Sequence, residues 1–365
     1  MNRLRAIFLL LGLLFVTALM CFGLVFLLAG DSIVNLARNA PAQINVWLSQ
    51  GELNESVSEN TDPTRFVISQ GQTAGIISQN LVVQDLIRNQ DLFVDYVQAE
   101  GLDDELEAGI YFLNQAQTLR EIALALTDSS LSQITFRIIP GWRIEQVAES
   151  IDANPLFGFS GDAFLAVVGR GAQVDPQFAQ FVGLPAGMSL EGFLLPDTYS
   201  LPPEITPEDL RDVLLESFEL AIDPQWVIDA QNRGLSLYEA VTLGSIIQRE
   251  AIHVDEYTMI SSVYNNRIDI DMRLDADPTV QYPLGQPGDW WPRITVNDYQ
   301  GVISDYNTYR TTELPPGPIA NPSVSAIRAA IYPDESAFFY FRADCRSDGY
   351  HDFARTYEEH LANGC

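Results

Sequence analysis

Residues 236–253 read SLYEAVTLGSIIQREAIH, and they predict a helix that is capped at its start and carries a carboxylate near its end. Ser236, followed three residues later by Glu239, forms a capping box, which marks a helix N-terminus. Glu250 shares one helical face with three aliphatic side chains. They are Leu243, Ile246 and Ile247. The apolar row of this helix therefore runs into a carboxyl group.

A carboxyl group at the end of an apolar row loses part of its hydration, which raises its pKa. Such a group keeps a proton near neutral pH and can donate it, as a general acid must. Glu250 is therefore a candidate catalytic residue. The alternative is a glutamate that reaches past the edge of the row into solvent, and the spacing alone leaves both interpretations open.

An uncharged run near the N-terminus predicts a membrane anchor. Ala6 to Gly30 contains no charged residue, and at about 1.5 Å per residue a helix of this length exceeds the roughly 30 Å hydrocarbon core of a bilayer. Arg3 and Arg5 precede the run, so the positive-inside rule predicts a cytoplasmic N-terminus and an extracytoplasmic remainder. A cleaved signal peptide has a shorter apolar region, and Met20 before Cys21 does not fit a lipoprotein site. We expect a single-pass protein of the cell inner or plasma membrane.

The composition excludes several kinds of function. The formal net charge is −29, and all 20 basic residues are arginine. Without lysine the chain has no Walker A loop, no Schiff base and no Ser-Lys catalytic pair. So acidic a chain also repels nucleic acid, and we expect no nucleic-acid partner.

Two cysteines, Cys345 and Cys365, bracket the C-terminal stretch. A disulfide is the ordinary expectation for two cysteines outside the cytoplasm. His351 and His360 lie between them, so a zinc site is the alternative, although this spacing is looser than that of structural zinc sites. We expect no metal and no cofactor.

Composition and periodicity divide the chain into five segments. A cytoplasmic tail at 1–5 and the transmembrane helix at 6–30 precede a polar linker at 31–62. Residues 63–132 are predicted to form a small α+β module, and 133–365 a mixed α+β domain that contains Glu250.

Two stretches of the chain resemble each other. RFVISQGQTAGIISQNL begins at Arg65 and TFRIIPGWRIEQVAESI begins at Thr135. Each predicts a short strand, a turn with a glycine (Gly71 or Gly141) and an amphipathic helix. This is the building pattern of LysM-type modules, which bind glycan chains. It is equally the pattern of a generic strand–helix unit, and these positions alone leave both open.

The chain also contains several long, specific motifs. They are LEGFLLPDTY from Leu190, GSIIQREA from Gly244, NRIDIDMRLDADPTVQY from Asn266, YNTY from Tyr306, LPPGPIANP from Leu314 and YFRAD from Tyr340. Together they resemble the endolytic murein transglycosylase family, also called the YceG-like family. The resemblance implies a bacterial, membrane-anchored lytic transglycosylase that cuts MurNAc–GlcNAc bonds within nascent peptidoglycan strands. It would leave 1,6-anhydro-MurNAc ends and limit strand elongation.

The resemblance also implies site residues and partners. The segment matching GSIIQREA carries the family's catalytic glutamate at Glu250, and the LysM-like interpretation of 63–132 is favoured. The candidate substrate-binding residues are Glu191, Asp277, Gln281, Tyr282, Tyr306 and Asn307. The first two could equally be turn or cap residues. Expected partners are peptidoglycan glycan strands, the cytoplasmic membrane and peptidoglycan synthases. A water-using peptidoglycan hydrolase and a non-catalytic wall-binding scaffold are the alternatives.

The chain departs from the family's pattern at a few positions. Gln248 stands where a glutamate is frequent, which leaves Glu250 as the only acid of its motif. Asp275 stands where glutamine is usual, which puts the contact of this position with substrate in doubt. Pro140 replaces a glutamate that usually precedes the turn glycine. The Cys345–Cys365 pair is not a general feature of the family.

Overall fold

The computed structural model describes residues 40–128 and 133–365. Their contacts divide the chain into two compact units, Met1–Ser132 and Gln133–Cys365. The cytoplasmic tail and the transmembrane helix, both predicted within 1–30, lie outside the described residues. Within the two described ranges, no helix has the combined length and apolar character that crossing a membrane requires.

The N-terminal unit is an antiparallel pair of strands packed with helices. Its elements are α1 (40–48), α2 (Gln50–Leu53), β1 (Thr64–Ile68), α3 (Ala74–Val83), α4 (Gln90–Glu100), β2 (Gly109–Leu113) and α5 (Leu119–Ala125). β1 and β2 pair with Phe66 opposite Tyr111. Phe66 and Ile68 are buried while Val67 between them is exposed, because successive strand residues point to opposite faces.

The core of this unit joins both strands to the helices. Phe66, Phe93 and Tyr111 are almost completely buried, and the Tyr111 hydroxyl donates to the carbonyl of Glu107 at 2.7 Å. Val46 and Leu53 belong to the same core. Both lie in the segment predicted as a linker, so part of that segment is folded onto the unit that follows it.

The C-terminal unit contains helices and two small antiparallel sheets. Its elements are β3 (Ile134–Arg137), α6 (Ile144–Asp152), α7 (Gly161–Val168), α8 (Pro176–Val182), β4 (Thr198–Leu201), α9 (Pro207–Ala221), α10 (Pro224–Asn232), α11 (Leu237–Glu250), α12 (Tyr257–Ile268), α13 (Asp277–Gln281), α14 (Val296–Gly301), α15 (Val324–Ile331), β5 (Tyr340–Ala343), β6 (His351–Ala354) and α16 (Tyr357–Ala362). β3 pairs with β4, and β5 pairs with β6. The mixed α+β class is confirmed.

The two resembling stretches fold alike, as predicted. Gly71 follows β1 with φ of 82°, and Gly141 follows β3 with φ of 84°. Glycine adopts this left-handed conformation without the steric cost that a Cβ would bring. α3 and α6 follow the two turns, so each unit contains the expected strand, glycine turn and helix.

Helix α11 packs in the middle of the C-terminal unit. Its apolar row is fully buried against α12 and α15, as predicted. Gly244 permits the close approach of α15, since a Cβ at this position would lie 3.1 Å from the Cα of Ile327. Carbon atoms pack best at about 3.5–4.0 Å, so a larger residue here would push the two helices apart.

Cys345 and Cys365 form a disulfide, with their Cα atoms 5.6 Å apart. The bond ties the segment after α16 to the loop between β5 and β6. Because the two sulfurs are bonded to each other, neither is a thiolate available to zinc. In the part of the chain that the structure describes, no group of three or more candidate ligands is placed to hold a metal ion.

Replacing both cysteines with serine is expected to lower the free energy of unfolding by about 3 kcal/mol, the chain-entropy value for a loop of this size. Activity should also fall, because Tyr357 and His360 of the tethered helix line a cavity. Thermal unfolding of the non-reduced full-length protein measures the first effect, and non-reducing peptide mapping should recover the linked pair. Cys21→Ser is the control. Equal unfolding midpoints for the double variant and this control would contradict the prediction.

Candidate active site

The helix that carries Glu250 begins where its sequence predicts. The backbone N–H of Glu239 donates to the Ser236 hydroxyl at 3.2 Å, and the Glu239 carboxylate accepts from the backbone N–H of Ser236 at 2.7 Å. The predicted capping box is therefore confirmed. The helix ends at Glu250, where Ala251 turns to an extended conformation, earlier than the predicted end at His253. The chain leaves the helix directly after the carboxylate.

Glu250 faces a cavity of about 680 Å³ (the main cavity). The Tyr264 hydroxyl donates to its Oε1 at 2.7 Å. The residue is only half-buried by exposed area, because its carboxyl group opens onto the cavity, yet the surrounding protein atoms remove much of its hydration. Burial raises the pKa of Glu250 to about 7, the Tyr264 hydrogen bond lowers it, and the Asp277 carboxylate raises it. Near neutral pH a large fraction of the molecules therefore carries a protonated Glu250.

The walls of the main cavity are rich in aromatic rings. The walls are formed by α11, α12, α13, residues 299–309 and the C-terminal segment from β5 to α16. The rings of Tyr299 and Tyr309 are stacked, with centroids 4.2 Å apart. On the other side, Tyr340 packs against His360 with centroids 5.5 Å apart. Ring faces and phenolic hydroxyls together suit a ligand that has both apolar faces and hydroxyl groups.

Asp277 is a second carboxylate in the main cavity. It is the first residue of α13, and its Oδ1 accepts from the Tyr309 hydroxyl at 2.6 Å. Its negative charge is one of the causes of the raised pKa of Glu250. The structure thus brings together two of the predicted site residues, one able to titrate near neutral pH and one hydrogen-bonded to a tyrosine.

Arg267 places a positive charge beside these carboxylates. Its guanidinium donates to the carbonyls of Phe339 and Leu274, both at 2.6 Å. These bonds tie α12 to the segment before β5 and to the loop before α13. The charge of Arg267 lowers the pKa of Glu250 and so acts against burial.

Asp275 also lines the main cavity. Its φ is 47°, a left-handed conformation that aspartate adopts more often than most residues with a Cβ. Its Oδ1 is buried and has no hydrogen-bond partner in the described part of the chain. Burial raises the pKa of Asp275, and Arg267 and Arg273 lower it. Nε of Arg273 lies 3.7 Å from this Oδ1, so the carboxylate contacts an arginine although it lacks a hydrogen bond.

Three other predicted residues lie away from the main cavity. Gln281 donates to the carbonyl of Pro292 at 3.0 Å. The ring of Tyr282 packs on Tyr306, with centroids 4.7 Å apart, and the Arg143 guanidinium lies 4.1 Å from the Tyr282 ring centroid. Tyr282 therefore supports Tyr306, and their predicted contact with glycan stays a prediction.

A second, more open groove of about 880 Å³ (the second groove) is lined by Tyr306 and Asn307. The Asn307 side chain is buried and donates to the carbonyls of Tyr299 and Val302 at 3.0 and 2.8 Å. Its amide thus holds the shape of its own loop. Tyr309, two residues further on, lines the main cavity instead, so the YNTY motif extends from one cavity to the other.

Glu191 lines neither of the two cavities and is 1% exposed. Its Oε1 accepts from the backbone N–H of Ile144 at 3.1 Å and from the Asn321 amide at 3.2 Å. Burial raises the pKa of Glu191 to about 8, Glu145 raises it, and Arg143 lowers it. These are the contacts of a carboxyl group that caps α6 and connects chain segments. Its predicted role beside the substrate stays a prediction.

The pH dependence of stability should reveal this buried carboxyl group. Because the folded-state pKa of Glu191, about 8, lies above its ordinary value of 4.5, the folded state holds the proton more tightly. Its contribution is fully present below about pH 4.5 and is lost as the pH rises to about 8. In wild type the free energy of unfolding should therefore fall between pH 5 and pH 8. In Glu191→Gln this fall should be smaller by a few kcal/mol. Denaturant unfolding at pH 5 and pH 8 measures it. The exposed Glu216→Gln is the control, and equal slopes in both variants would refute the prediction.

Most of the chain matches one protein family, since the model of the family described as YceG-like covers residues 66–364. The chain belongs to the YceG-like family. It is 29% identical over 323 residues to the endolytic murein transglycosylase of Bacillus subtilis strain 168, a match that covers 84% of this chain and 86% of that protein. The resemblance seen in the sequence motifs is confirmed.

Two further comparisons agree with this YceG-like assignment. The chain is 26% identical over 318 residues to the endolytic murein transglycosylase of Streptococcus pneumoniae serotype 2, strain D39, covering 81% of this chain and 57% of that longer protein. A 2.6 Å crystal structure of a Listeria monocytogenes protein described as yceG-like matches with a TM-score of 0.53 and 28% identity. That match covers 83% of this chain and 99% of the Listeria chain.

Several residues of this YceG-like cavity were not predicted as site residues. Arg267 and Asp275 lie in the motif NRIDIDMRLDADPTVQY, and Tyr309 closes the motif YNTY. Tyr340 begins the motif YFRAD, whose residues also line the cavity. Membership of a long motif was therefore the available signal. Tyr264 precedes its nearest motif, and only the fold brings it to Glu250.

Proposed function

We propose that the chain is a lytic transglycosylase of peptidoglycan, which cleaves MurNAc–GlcNAc bonds within nascent strands and leaves 1,6-anhydro-MurNAc ends. The observation that carries the proposal is Glu250, a carboxyl group with a pKa raised to about 7 in an aromatic-lined cavity. The names of the relatives, endolytic murein transglycosylases, support the same substrate class.

The reaction needs one group that gives a proton and then takes one. Protonated Glu250 donates its proton to the glycosidic oxygen while the bond between that oxygen and MurNAc C1 breaks, and the GlcNAc-bearing strand leaves as an alcohol. The C6 hydroxyl of the same MurNAc then bonds to C1, and the Glu250 carboxylate takes the hydroxyl proton. No water is consumed, and Glu250 returns to its protonated form.

Neighbouring groups support these steps. Tyr264 donates to Oε1 of Glu250, which leaves Oε2 to carry the proton that is transferred. Asp277 shares the main cavity, and its negative charge would stabilise the positive charge that develops at C1. Asp277 could also serve a water-using hydrolase as its second carboxylate. The products distinguish the two reactions.

Mass spectrometry of purified glycan strands digested by the full-length protein tests the proposal. A lytic transglycosylase gives fragments ending in 1,6-anhydro-MurNAc, whereas a hydrolase gives reducing MurNAc ends heavier by one water. Digestion in ¹⁸O-labelled water should leave the new ends unlabelled. Reducing, labelled ends would establish the hydrolase, and absence of any cleavage would favour a wall-binding scaffold.

The proposed location is the extracytoplasmic face of the inner or plasma membrane, held by a single helix at 6–30. The uncharged run and the preceding arginines support it. Protease added outside intact spheroplasts should digest the chain beyond about residue 31. A cytoplasmic reporter protein must survive in the same sample. Protection of the C-terminal unit under these conditions would rule this topology out.

The N-terminal unit is proposed to bind glycan as a LysM-like module. The strand, glycine turn and helix formed by β1, Gly71 and α3 support this role. Hydrogen exchange of the full-length protein, with and without purified glycan strands, tests it. Slower exchange in 64–83 is the expected result. Slower exchange confined to 133–365 would contradict the module's role.

A further inference from the structure

The second groove contains charged side chains that can bind the charged groups of a ligand. Charged side chains of both signs line it: Arg170, Asp305, Arg310 and Glu313. All four residues are exposed. Within the described ranges none of them forms an ion pair at 4.0 Å or less. Charges of both signs are therefore open to a ligand along this groove.

The two arginines of the groove each have one contact with the surrounding protein. Nη1 of Arg310 donates to the carbonyl of Gln300 at 2.7 Å, which leaves the other guanidinium nitrogens open to a ligand. Nη2 of Arg170 lies 3.9 Å from the sulfur of Met188. Met188 and the half-buried Leu314 add apolar surface between the charges. A ligand that fits would carry charges of both signs and small apolar groups.

The second groove lies close to the proposed site of cleavage. Tyr306 lines the groove, and Tyr309 lines the main cavity and binds Asp277. The Cα atoms of these two tyrosines are at most about 11 Å apart, since consecutive Cα atoms are separated by 3.8 Å. One short segment of the chain therefore contributes to the walls of both cavities.

We infer that the second groove binds the stem peptide of a peptidoglycan strand, an inference that rests on the proposed function. The lactyl carboxyl of MurNAc is consumed in the peptide's amide bond, so the charges of the strand lie in the peptide. Stem peptides carry carboxylates, the ammonium group of a diamino acid and alanine methyl groups. Arg170 and Arg310 suit the carboxylates, whereas Asp305 and Glu313 suit the ammonium group.

Binding of a free stem peptide to the full-length protein tests the inference directly. The probe is L-Ala–γ-D-Glu–meso-diaminopimelate–D-Ala, titrated by calorimetry. The double variant Arg170→Gln/Arg310→Gln should bind it about tenfold more weakly, the sum of two exposed ion pairs. Arg137→Gln, an exposed arginine on β3, is the matched control and should bind like wild type. Wild type should also bind the carboxyl-amidated peptide about tenfold more weakly.

Two results would overturn the inference: no binding of the peptide by wild type, or equal binding by wild type and the double variant. Product analysis keeps this failure separate from failure of the proposed function. Peptide binding by a wild-type protein that makes no anhydro ends would contradict the transglycosylase and retain the groove. The opposite result is formation of anhydro ends at equal kcat/KM from strands with and without stem peptides, together with no peptide binding. It would retain the transglycosylase and contradict peptide binding in the groove.

Discussion

Glu250→Gln should lower the rate of strand cleavage by at least ~10²-fold, the low end for the loss of a general acid–base. Glutamine preserves the size and polarity of the side chain but has no proton that titrates near neutral pH. The Tyr264 hydroxyl can still donate to the amide oxygen, so the wall of the main cavity should keep its shape. Counting new anhydro ends over time, with purified strands in excess, measures the effect. Cleavage at near wild-type rate would remove Glu250 from the mechanism.

Measuring the stability of Glu250→Gln shows whether a loss of activity reflects lost catalysis or lost folding. The folded-state pKa of Glu250, about 7, lies above its ordinary value of 4.5, so burial of its charged form destabilises the folded protein as pH rises through this window. Glu250→Gln should therefore be at least as stable as wild type at pH 8. The exposed Glu216→Gln on α9 is the matched control and should keep full activity. A Glu250→Gln protein that is inactive and also unfolded would leave the chemistry unproved, so both measurements are made on one sample.

The pH dependence of kcat/KM is a second test of the role of Glu250. The first step requires protonated Glu250, so kcat/KM should fall as the pH rises above about 7. The Tyr264 hydrogen bond lowers the pKa of Glu250, and Tyr264→Phe should therefore shift this alkaline limb to higher pH. An unshifted limb in Tyr264→Phe would assign the limb to another group.

The helix and its carboxylate could be predicted because their signals are local. A capping box and an apolar row depend on residues three or four positions apart, and α11 begins at the predicted cap. The end of the helix was predicted less well, because the sequence from Ala251 to His253 contains no glycine or proline to stop it. Extended backbone at Ala251 ends the helix instead.

The walls of the main cavity could not be predicted, because they come from segments far apart in the chain. Tyr264, Tyr309 and Tyr340 approach Glu250 only through the packing of α11, α12, α13 and β5. Periodicity cannot report such contacts, which depend on tertiary structure. Asn307 is a second example in which tertiary contacts could not be predicted from sequence. Its residue type suggested a ligand contact, whereas its buried amide is used by its own loop.

The motifs LEGFLLPDTY and LPPGPIANP have a physical connection that their sequences do not show. Asn321, fully buried in the second motif, accepts from the backbone N–H groups of Gly192 and Leu194 in the first, both at 3.0 Å. Its amide donates to the carbonyl of Trp142 at 3.0 Å and to Glu191 at 3.2 Å. One side chain thus satisfies polar groups on two other segments, the LEGFLLPDTY motif and the turn that precedes α6.

Asn321→Ala should lower the free energy of unfolding of the C-terminal unit by about 3–5 kcal/mol, because each buried polar group left without a partner costs about 1–3 kcal/mol. Denaturant unfolding followed by tryptophan fluorescence measures this change. Faster hydrogen exchange at the amides of Gly192 and Leu194 locates it. The exposed Asn297→Ala is the control and should stay within about 0.5 kcal/mol of wild type. If both variants match wild type, apolar packing alone holds the two motifs together. If only Asn321→Ala is destabilised, the buried hydrogen-bond network stabilises the fold. Residues of both long motifs would then be needed for folding as well as for binding the substrate.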